Sequence, residues 1–367
     1  MGKIIGIVST NYSVDGVDPL VVDRPLAAVP FGGRYRLVDF SLSNLSNAGV
    51  RDVSIITPAN NRSLVDHIGI GKEWGFGRKA NRISFLPGTI FGERIQHSRF
   101  IMRDLLLHEK YFNLENSDYV IICGGNKVYN MDFEALIEHK KKSDAKATLV
   151  YKKLLCTNEA GNMYLNLDKD GGIKKIVDKS RGVVNQFLDC IIMDTDFFVN
   201  FLDWYSAFEA MDLMEVLSKE ISKFDLDAFE FDGYVGMVNN LTQYYDASMD
   251  LLKPEIREEL FGGERKIFTN VQDREPSKYT KTAKVSNSYI AGGCVIKGTV
   301  ENSIIFRSTV IEEGAVIKNS IVMQQGIINK NAELNHVICD RQVTISEGVN
   351  IAGGAAKPFT IDKGRTL

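Results

Sequence analysis

The chain has 367 residues, and its 44 Lys and Arg against 47 Asp and Glu give a formal net charge of −3. This balance excludes a general nucleic-acid binding protein, which carries a strong basic excess, and a composition that is 44% hydrophobic and 25% charged excludes a disordered chain. No apolar run approaches the ~20 residues of a membrane helix, and the first residues lack the basic front and cleavage site of a signal peptide. We therefore expect a cytoplasmic protein that binds neither nucleic acid nor membranes.

Up to about residue 245, short apolar runs rich in β-branched residues alternate with helical stretches. Such alternation predicts an α/β domain with a mostly parallel sheet and helices on both faces. Ligands of these sheets bind beyond the carboxyl ends of the strands, so the loops after Val8, Thr57 and Cys123 are where we expect a site. The predicted strands are Lys3–Val8, Val53–Thr57, Tyr119–Cys123 and Thr148–Tyr151, and the predicted helices cover about residues 38–48, 97–110 and 132–142.

A linker is predicted after the α/β pattern ends. One more helix at about Tyr245–Leu252 is followed by Pro254, the Gly262-Gly263 pair and the polar segment Gln272–Lys278. Proline and paired glycines of this kind interrupt regular structure. The predicted organisation is an α/β domain at 1–245, a helix and linker at 246–283, and a second domain at 284–367.

In the second domain, aliphatic residues recur mostly every five to seven positions, with a small side chain two residues before most of them. A strand would show period two and a helix period 3.6, whereas a hexapeptide period is typical of a three-sided parallel β-helix whose aliphatic side chains stack inward. The alternative is a small β-sandwich, which this period disfavours. The aliphatic positions are Ile290, Ile296, Ile305, Ile311, Ile317, Val322, Ile328, Leu334, Ile338, Ile345 and Ile351, and the small ones are Ser288, Cys294, Ser303, Thr309, Ala315, Ser320, Gly326 and Ala332.

The cysteines and histidines are scattered along the chain. The five cysteines form no Cys-x-x-Cys pair, and the five histidines do not cluster near them. An odd, dispersed set in a large chain is typical of reduced thiols packed in the core. We expect neither disulfides nor a structural zinc site.

The most distinctive motif is Val-Pro-Phe-Gly-Gly-Arg-Tyr-Arg-Leu-Val-Asp-Phe-Ser-Leu-Ser-Asn at residues 29–44. Its two glycines permit a tight turn with positive φ and a close approach of the backbone. Arg34 and Arg36 then place two guanidinium groups near a predicted helix start, an arrangement that can bind an anion. The alternative is a structural turn with solvated arginines.

With the strand–helix alternation and the hexapeptide repeat, this motif resembles the bacterial ADP-glucose pyrophosphorylases (glucose-1-phosphate adenylyltransferases). The resemblance covers nearly the whole chain, including Gly233-Tyr234 and the segment Tyr244–Leu252. It implies a Rossmann-like nucleotidyltransferase domain followed by a left-handed β-helix. Members of this family join glucose 1-phosphate to ATP to make ADP-glucose and pyrophosphate for glycogen synthesis, and they assemble as tetramers.

The triphosphate-binding part of the family pattern is missing here. Family members follow the first strand with Gly-Gly-x-Gly-x-Arg-Leu, whereas this chain reads Ser-Thr-Asn-Tyr-Ser-Val-Asp at residues 9–15. The family's Arg-Ala-Lys-Pro matches Arg24-Pro25-Leu26-Ala27, so Leu26 replaces the phosphate-binding lysine. The family's Gly-Thr-Ala-Asp-Ala nucleotide segment should fall near Gly92–Phe100, and the residues Glu93–Ser98 do not match it.

Both metal-binding aspartates of the family are also missing. Ala-Gly-Asp-His matches Gly124-Gly125-Asn126-Lys127, and Gly-Tyr-Trp-Arg-Asp-Val-Gly matches residues 233–239, so Asn126 and Met237 occupy the aspartate positions. A Met thioether is a poor Mg²⁺ ligand. Together these losses should cost well over ~5 kcal/mol of transition-state stabilisation. We therefore predict no catalytic residues, no bound metal and no cofactor for this chain, with Mg²⁺ confined to an active partner.

Some sugar-phosphate features of the family remain. Asp178 and Lys179 lie where the family has Glu-Lys-Pro, which implies a carboxylate for the glucose hydroxyls and a lysine for the phosphate; the alternative is an exposed turn pair. Arg24, Arg34 and Arg36 lie near the family's activator region, which implies an anion or effector site. Asp23, however, occupies the position of an activator lysine in some members.

The leading interpretation is a GlgD-type regulatory subunit, nearly inactive alone, that modulates a catalytic homologue in a heterotetramer and responds to sugar-phosphate effectors. The chain could also form homo-oligomers alone. One alternative is a weakly active adenylyltransferase that uses Asp132 or Asp232, although Asp132 also suits the start of a helix. Another is an acyltransferase of the β-helix type with His336 as its base, for which a structural histidine is the simpler explanation.

Overall fold

The computed structural model describes residues 2–11, 16–77, 81–89, 98–157, 159, 161–271 and 274–367. Its first part contains one large sheet and two short two-stranded sheets. The strands are β1 (Lys3–Ser9), β2 (Pro30–Phe31), β3 (Tyr35–Arg36), β4 (Asp52–Thr57), β5 (Arg82–Pro87), β6 (Ser117–Gly124), β7 (Lys127–Val128), β8 (Ala147–Leu155), β9 (Tyr164–Leu167), β10 (Ile173–Val177), β11 (Val183–Asp194), β12 (Leu226–Glu230) and β13 (Gly236–Met237).

The centre of the sheet is parallel, as predicted. Strands β5, β4, β1 and β6 lie side by side in parallel, and β11 then pairs antiparallel with β6 and β8. In this register Ser9 pairs with Gly124 on one side and Ile56 on the other. The carboxyl ends of β1, β4 and β6 therefore meet at one edge, where the predicted site loops begin.

Helices cover both faces of the sheet. One face packs against α2 and α5 through Leu42, Leu45, Leu136 and Ile137, and the other packs against α4, α6 and α7. Asp132 caps α5 by accepting the N–H groups of Glu134 and Ala135, so this helix begins where the sequence predicted. The helices are α1 (Asp18–Val21), α2 (Val38–Asn47), α3 (Arg62–Ile68), α4 (Met102–His108), α5 (Phe133–Lys142), α6 (Thr195–Trp204), α7 (Leu213–Lys219), α8 (Leu241–Asp250) and α9 (Pro254–Arg257).

The second domain is a left-handed parallel β-helix with three five-stranded sheets. The first sheet contains β14 (Lys278–Tyr279), β17 (Val295–Ile296), β20 (Val310–Ile311), β23 (Ile327–Ile328) and β26 (Thr344–Ile345). The second contains β15 (Lys284–Ser286), β18 (Thr299–Glu301), β21 (Val316–Lys318), β24 (Glu333–Asn335) and β27 (Asn350–Ala352). The third contains β16 (Tyr289–Ile290), β19 (Ile304–Ile305), β22 (Ile321–Val322), β25 (Val337–Cys339) and β28 (Phe359–Ile361).

The small residues of the repeat hold its corners, as the period predicted. Ser303 donates its backbone N–H to the hydroxyl of Ser288 at 3.1 Å, and Ser320 donates to Ser303 in the same way in the next coil. The residues before these serines include Asn302 and Asn319, which have positive φ angles, a conformation that asparagine tolerates better than most residues. Each corner thus stacks on the next.

The middle strands of the third sheet, β19, β22 and β25, are buried on both sides, and this sheet joins the two domains. Its inward residues include Ile305 and Val322, whereas Ile304 and Ile321 belong to a core cluster shared with the first domain. The predicted glycine turn lies at this seam: Gly32 and Gly33 have φ angles of 54° and 79°. A Cβ added to Gly33 would lie 2.7 Å from the ring of Tyr289, so this position requires glycine.

The cysteines are unpaired, as predicted. Cys123, Cys190, Cys294 and Cys339 are buried and Cys156 is half-buried. Burial raises the pKa of Cys123 to about 12, which keeps this thiol protonated and unreactive at neutral pH. Among the described residues, none of the helices has the length and apolar character needed to cross a bilayer.

Candidate functional site

The described part of the loop after β1 is held by contacts within the protein. Thr10 donates its backbone N–H and its hydroxyl to the carbonyl of Ile56 at 2.9 and 2.8 Å. Asn11 donates from Nδ2 to Oδ2 of Asp104 on α4 at 2.6 Å. These groups are therefore already paired, unlike the free amides of a glycine-rich loop that binds a triphosphate. Residues 12–15 of the same loop lie outside the described residues.

The two positions that the resemblance assigns to metal aspartates lie side by side. Strands β7 and β13 pair antiparallel, with Lys127 directly opposite Met237. Asn126 immediately precedes β7, and its Nδ2 donates to the carbonyl of Val238 at 3.3 Å and to Oδ1 of Asn239 at 3.1 Å. An amide and a thioether thus occupy the two positions that the resemblance assigns to metal-binding carboxylates.

Next to these positions lies a buried ionic cluster of Lys127, Asp189 and Arg99. The ammonium of Lys127 and Nε of Arg99 each lie 2.6 Å from the same carboxylate oxygen, Oδ2 of Asp189. The side chains of Lys127 and Asp189 are 2% and 4% exposed, and that of Arg99 is 11% exposed. Two cations therefore share the Asp189 carboxylate.

Asp189 reaches this position through a β-bulge. The register of β11 against β8 shifts between Phe187 and Ile191, and Asp189 has a φ angle of 55°. Bulges of this kind redirect a side chain out of the regular alternation. An acidic residue within an apolar central strand thereby faces the two cations.

Asn239 connects this cluster to its surroundings. Its Oδ1 accepts hydrogen bonds from Asn126, from Lys127 Nζ at 3.4 Å and from Arg99 Nη2 at 3.5 Å. Its Nδ2 donates to Oδ1 of Asn162 at 3.2 Å. The amide of Asn239 is therefore oriented by the cations on one side and by a neutral acceptor on the other.

Burial and mutual attraction set the ionisation of the cluster. Burial lowers the pKa of Lys127 to about 8, against the raising effect of the Asp189 carboxylate. Burial also opposes the ionisation of Asp189, but the charges of Arg99 and Lys127 outweigh it and hold the pKa of Asp189 below its usual range. At neutral pH the cluster therefore contains an ionised carboxylate and two cations.

These residues do not fit a divalent cation. The Asn126 side-chain oxygen has no protein partner among the described residues, but one neutral oxygen is far from the octahedral oxygen set that Mg²⁺ demands. The neighbouring ammonium and guanidinium would repel a metal ion. Across the described parts of the chain, no group of three or more His, Cys, Asp or Glu residues has a metal-binding arrangement.

A cavity of about 500 Å³ opens beside Asn162. Asp178 lines it together with Asp212 and Glu215, while the neighbouring Lys179 is exposed and lies outside the lining. The lining residues that the structure describes include three carboxylates and no basic side chain. This lining suits hydroxyl groups, which donate to carboxylates, better than it suits a phosphate.

The structure places Arg24 in a buried ion pair between the two domains. Arg24 Nη2 donates to Oδ2 of Asp340 in the β-helix, and Nε donates to the carbonyl of Leu20 at 2.7 Å. The side chains of Arg24 and Asp340 are 2% and 3% exposed. The adjacent Asp23 forms an exposed pair with Lys363 at 3.0 Å.

Arg34 and Arg36 lie at the same seam but in different surroundings. Arg34 is exposed and lines a cavity of about 290 Å³ with Arg274 and Arg307. Arg36 donates from Nη1 to the carbonyl of Ser63 at 2.6 Å. Burial lowers the pKa of Arg36 to about 10. The cavity has three arginines and no carboxylate among its described lining residues, which is the composition of an anion site.

The remaining candidates have structural surroundings. Leu26 is buried in the core cluster at the domain seam. Asp132 caps α5 and contacts Arg265 at 3.1 Å, and Asp232 is exposed. His336 has a φ angle of 54° and occupies the corner that asparagine holds in earlier coils; its ring lies 6.3 Å from that of Tyr245.

Sequence reasoning did not find Lys127, Asp189, Arg99 or Asn239 as site residues. Lys127 and Asn239 lie within the two motifs in which the aspartates are missing, at positions where the family has His and Gly. Comparison of the motifs could therefore have identified both substitutions. The available sequence signal for Asp189 is a charged residue within an apolar segment. The segment Glu93–Ser98 lies outside the described residues except for Ser98.

Comparison with known proteins agrees with this architecture. The nucleotidyl transferase family matches residues 17–188, and the GlmU-like C-terminal hexapeptide family matches residues 273–357. The chain is 32% identical to the glycogen biosynthesis protein GlgD of Bacillus subtilis (strain 168) over 363 residues, which cover 99% of this chain and 96% of that protein. It is 31% identical to the GlgD protein of Geobacillus stearothermophilus over 317 residues, 86% of this chain and 83% of that one. A glucose-1-phosphate adenylyltransferase of Clostridium perfringens (strain SM101 / Type A) is 28% identical over 296 residues, 79% of this chain and 76% of the enzyme.

Proposed function

Because the chain belongs to the family of GlgD glycogen biosynthesis proteins, we propose that it is a non-catalytic subunit that regulates a glucose-1-phosphate adenylyltransferase. The family gives it a role in glycogen biosynthesis. The regulated step would be the synthesis of ADP-glucose by a catalytic homologue, and this chain would act on that homologue within a mixed oligomer. Regulation would consist of a shift between conformations of the partner.

The observation that carries this proposal is the pair of side chains at the metal positions. Asn126 and Met237 lie together at the edge of the sheet, where nucleotidyl transfer needs carboxylates to hold the ion that neutralises developing charge. Beside them, the cations Lys127 and Arg99 are paired with the carboxylate of Asp189. The scaffold of the related enzymes is retained, whereas the groups for the chemistry are replaced.

Two features support a response to small molecules. In the cavity beside Asp178, this carboxylate can accept sugar hydroxyls, although Lys179 does not line the cavity. The other two carboxylates have protein partners: Asp212 accepts backbone N–H groups, and Glu215 pairs with Lys219. The cavity lined by Arg34, Arg274 and Arg307 has the charge to bind a phosphate group. It lies at the seam between the two domains, so a bound sugar phosphate would bias their relative arrangement.

The direct test is an assay of ADP-glucose formation with ATP, glucose 1-phosphate and Mg²⁺. We expect negligible turnover by the purified chain alone. We expect a changed rate or a changed effector response when the chain is added to the glucose-1-phosphate adenylyltransferase of the same organism, with co-elution of the two chains in size-exclusion chromatography.

Two outcomes would contradict this proposal. Turnover by the chain alone that is lost on Asp132→Asn or Asp232→Asn substitution would mean that other carboxylates have taken over metal binding. An unchanged rate and effector response in a mixture with no co-elution would remove the regulatory role.

A second prediction concerns the arginine cavity. Replacement of Arg34 and Arg307 by Ala removes two of its three cations and is expected to weaken binding of a hexose bisphosphate by about tenfold or more. Isothermal titration calorimetry measures this change. The matched control is Arg62→Ala, since Arg62 is 95% exposed and pairs with Asp66 only at 3.8 Å. Equal affinities for both variants would place the anion elsewhere.

A further inference from the structure

We infer that the Lys127 ammonium, together with Arg99, replaces the divalent cation of the related enzymes as the positive charge of this cleft, so that the cleft binds no metal. The inference deepens the proposed function and rests on it for the absence of turnover. The inference rests on the positions of Lys127 and Asn239. Both lie next to Asn126 and Met237, which occupy the two positions that the resemblance assigns to metal aspartates.

The ammonium of Lys127 is buried beside the two positions that the resemblance assigns to metal aspartates. Lys127 Nζ lies 2.6 Å from Asp189 and 3.4 Å from Asn239, and its side chain is 2% exposed. Lys127 is also directly opposite Met237 in the pairing of β7 with β13. A cation fixed at this depth by a covalent stem cannot dissociate, whereas a metal ion would have to be bound from solution.

The substitutions at the site complement one another. The two aspartates of the family are replaced by neutral side chains, and one further residue changes near each position: the His directly after the first becomes Lys127, and the Gly two positions after the second becomes Asn239. The structure brings these two additional changes into contact. Asn239 supplies an amide oxygen to the new ammonium, so the four changes form one connected replacement.

This arrangement predicts that restoring the aspartates alone does not restore a metal site. A carboxylate introduced at Asn126 or Met237 would lie beside the Lys127 ammonium and form an ion pair with it. The new carboxylates would then be neutralised from within the protein. Metal binding should return only when the ammonium is also removed.

The experiment compares Mn²⁺ binding, measured by electron paramagnetic resonance of the free ion, in a series of variants. We expect no binding to the wild type and weak binding to N126D/M237D. The triple variant N126D/K127M/M237D is expected to bind Mn²⁺ at least about tenfold more tightly than N126D/M237D. The matched control is N126D/M237D/K140M, because Lys140 is likewise a buried lysine, 3% exposed and paired with Asp194 at 2.7 Å, but on α5; it should bind like N126D/M237D.

A measurement on the unmodified chain keeps the inference testable if the triple variant does not fold. With ¹³C-labelled Met methyl groups, added Mn²⁺ should broaden the Met237 signal no more than that of Met323, which is buried at the domain seam. Selective broadening of Met237, or equally tight binding by N126D/M237D and the triple variant, would overturn the inference. If Mn²⁺ does not bind but the chain leaves its partner's rate unchanged, the proposed function fails while the inference stands.

Discussion

Replacing Asp189 by Asn is expected to lower the free energy of unfolding by about 3–5 kcal/mol, because it leaves the Lys127 and Arg99 charges buried without their shared carboxylate. The substitution preserves the shape of the side chain. Asn also tolerates the left-handed backbone of this position, where φ is 55°. The decrease in the free energy of unfolding would therefore come from the lost charge and not from backbone strain. Urea unfolding at pH 7 measures it.

The matched variant Lys127→Met is expected to be far milder. It removes one of the two cations that contact Asp189 and leaves Nε of Arg99 2.6 Å from that carboxylate. Replacing buried ionic groups by apolar side chains is often neutral or stabilising when no buried charge is left without a partner, and here Arg99 still pairs with Asp189. The unfolding free energy of Lys127→Met should therefore equal or exceed that of the wild type at neutral pH.

The two variants should also differ in their pH dependence. The pKa of Asp189 is lowered in the folded state, so its stabilisation is present above the usual aspartate pKa of 3.8 and is lost as pH falls through the lowered value. The deficit of Asp189→Asn should thus shrink in acid. The pKa of Lys127 is lowered to about 8 from 10.5, so the cost of its buried charge is present below pH 8 and is relieved between pH 8 and 10.5. The advantage of Lys127→Met should shrink over that range. A deficit below 1 kcal/mol for Asp189→Asn would contradict this account of the cluster.

The β-helix was predictable because its signal is periodic. Each coil repeats the same constraint, with inward residues such as Ile311, Ile328 and Ile345 fully buried, so errors at one position do not matter. Strands β1, β4, β6 and β8 of the first domain were likewise predicted from local apolar runs, whereas the other strands of the large sheet, including the 12-residue β11, were not. The packing of the third β-helix sheet on the first domain was not, since the aliphatic side chains facing the seam resemble those facing the interior.

From the sequence, the site could be predicted only through the family residues that are missing from it. Asn126 and Met237 could be recognised by comparison of motifs, but the replacement cluster joins residues distant in sequence: Arg99, Lys127 and Asp189. The position of Asp189 depends on a bulge in β11, and bulges have no reliable sequence signal of their own. Long-range ionic contacts of this kind appear only once the topology is known.

The retained family motif has a structural explanation in this chain. Gly32 and Gly33 let the β2–β3 turn approach Leu251 and Tyr289, with a Cβ at Gly32 falling 2.8 Å from the leucine side chain. Arg36 donates its backbone N–H to Asp39 at 2.9 Å. The motif thus fixes the seam between the domains. These contacts give the residues of the motif a structural role at the seam that does not depend on the chemistry of the cleft.

The seam itself should depend on the buried pair of Arg24 and Asp340, which joins residues 316 positions apart. We expect Asp340→Asn to lower the free energy of unfolding by about 3–5 kcal/mol, because Arg24 would remain buried with its charge uncompensated. Its Nη1 has no protein partner among the described residues, so the ion pair of this buried guanidinium is the one with Asp340. Amide hydrogen exchange of β25 should accelerate as well, because this strand precedes Asp340 and packs on the first domain.

The neighbouring pair of Asp23 and Lys363 provides the matched control. It also bridges the two domains, at 3.0 Å, but its side chains are 56% and 38% exposed. Solvent-exposed pairs contribute at most about 1 kcal/mol, so Asp23→Asn should have a small effect. The double variant Arg24→Met/Asp340→Asn should recover part of the loss of Asp340→Asn, because it removes both buried charges. If Asp340→Asn cost no more than Asp23→Asn, the contact between the domains would rest on apolar packing alone, and Arg24 would be free to serve the anion site that the resemblance assigns to it.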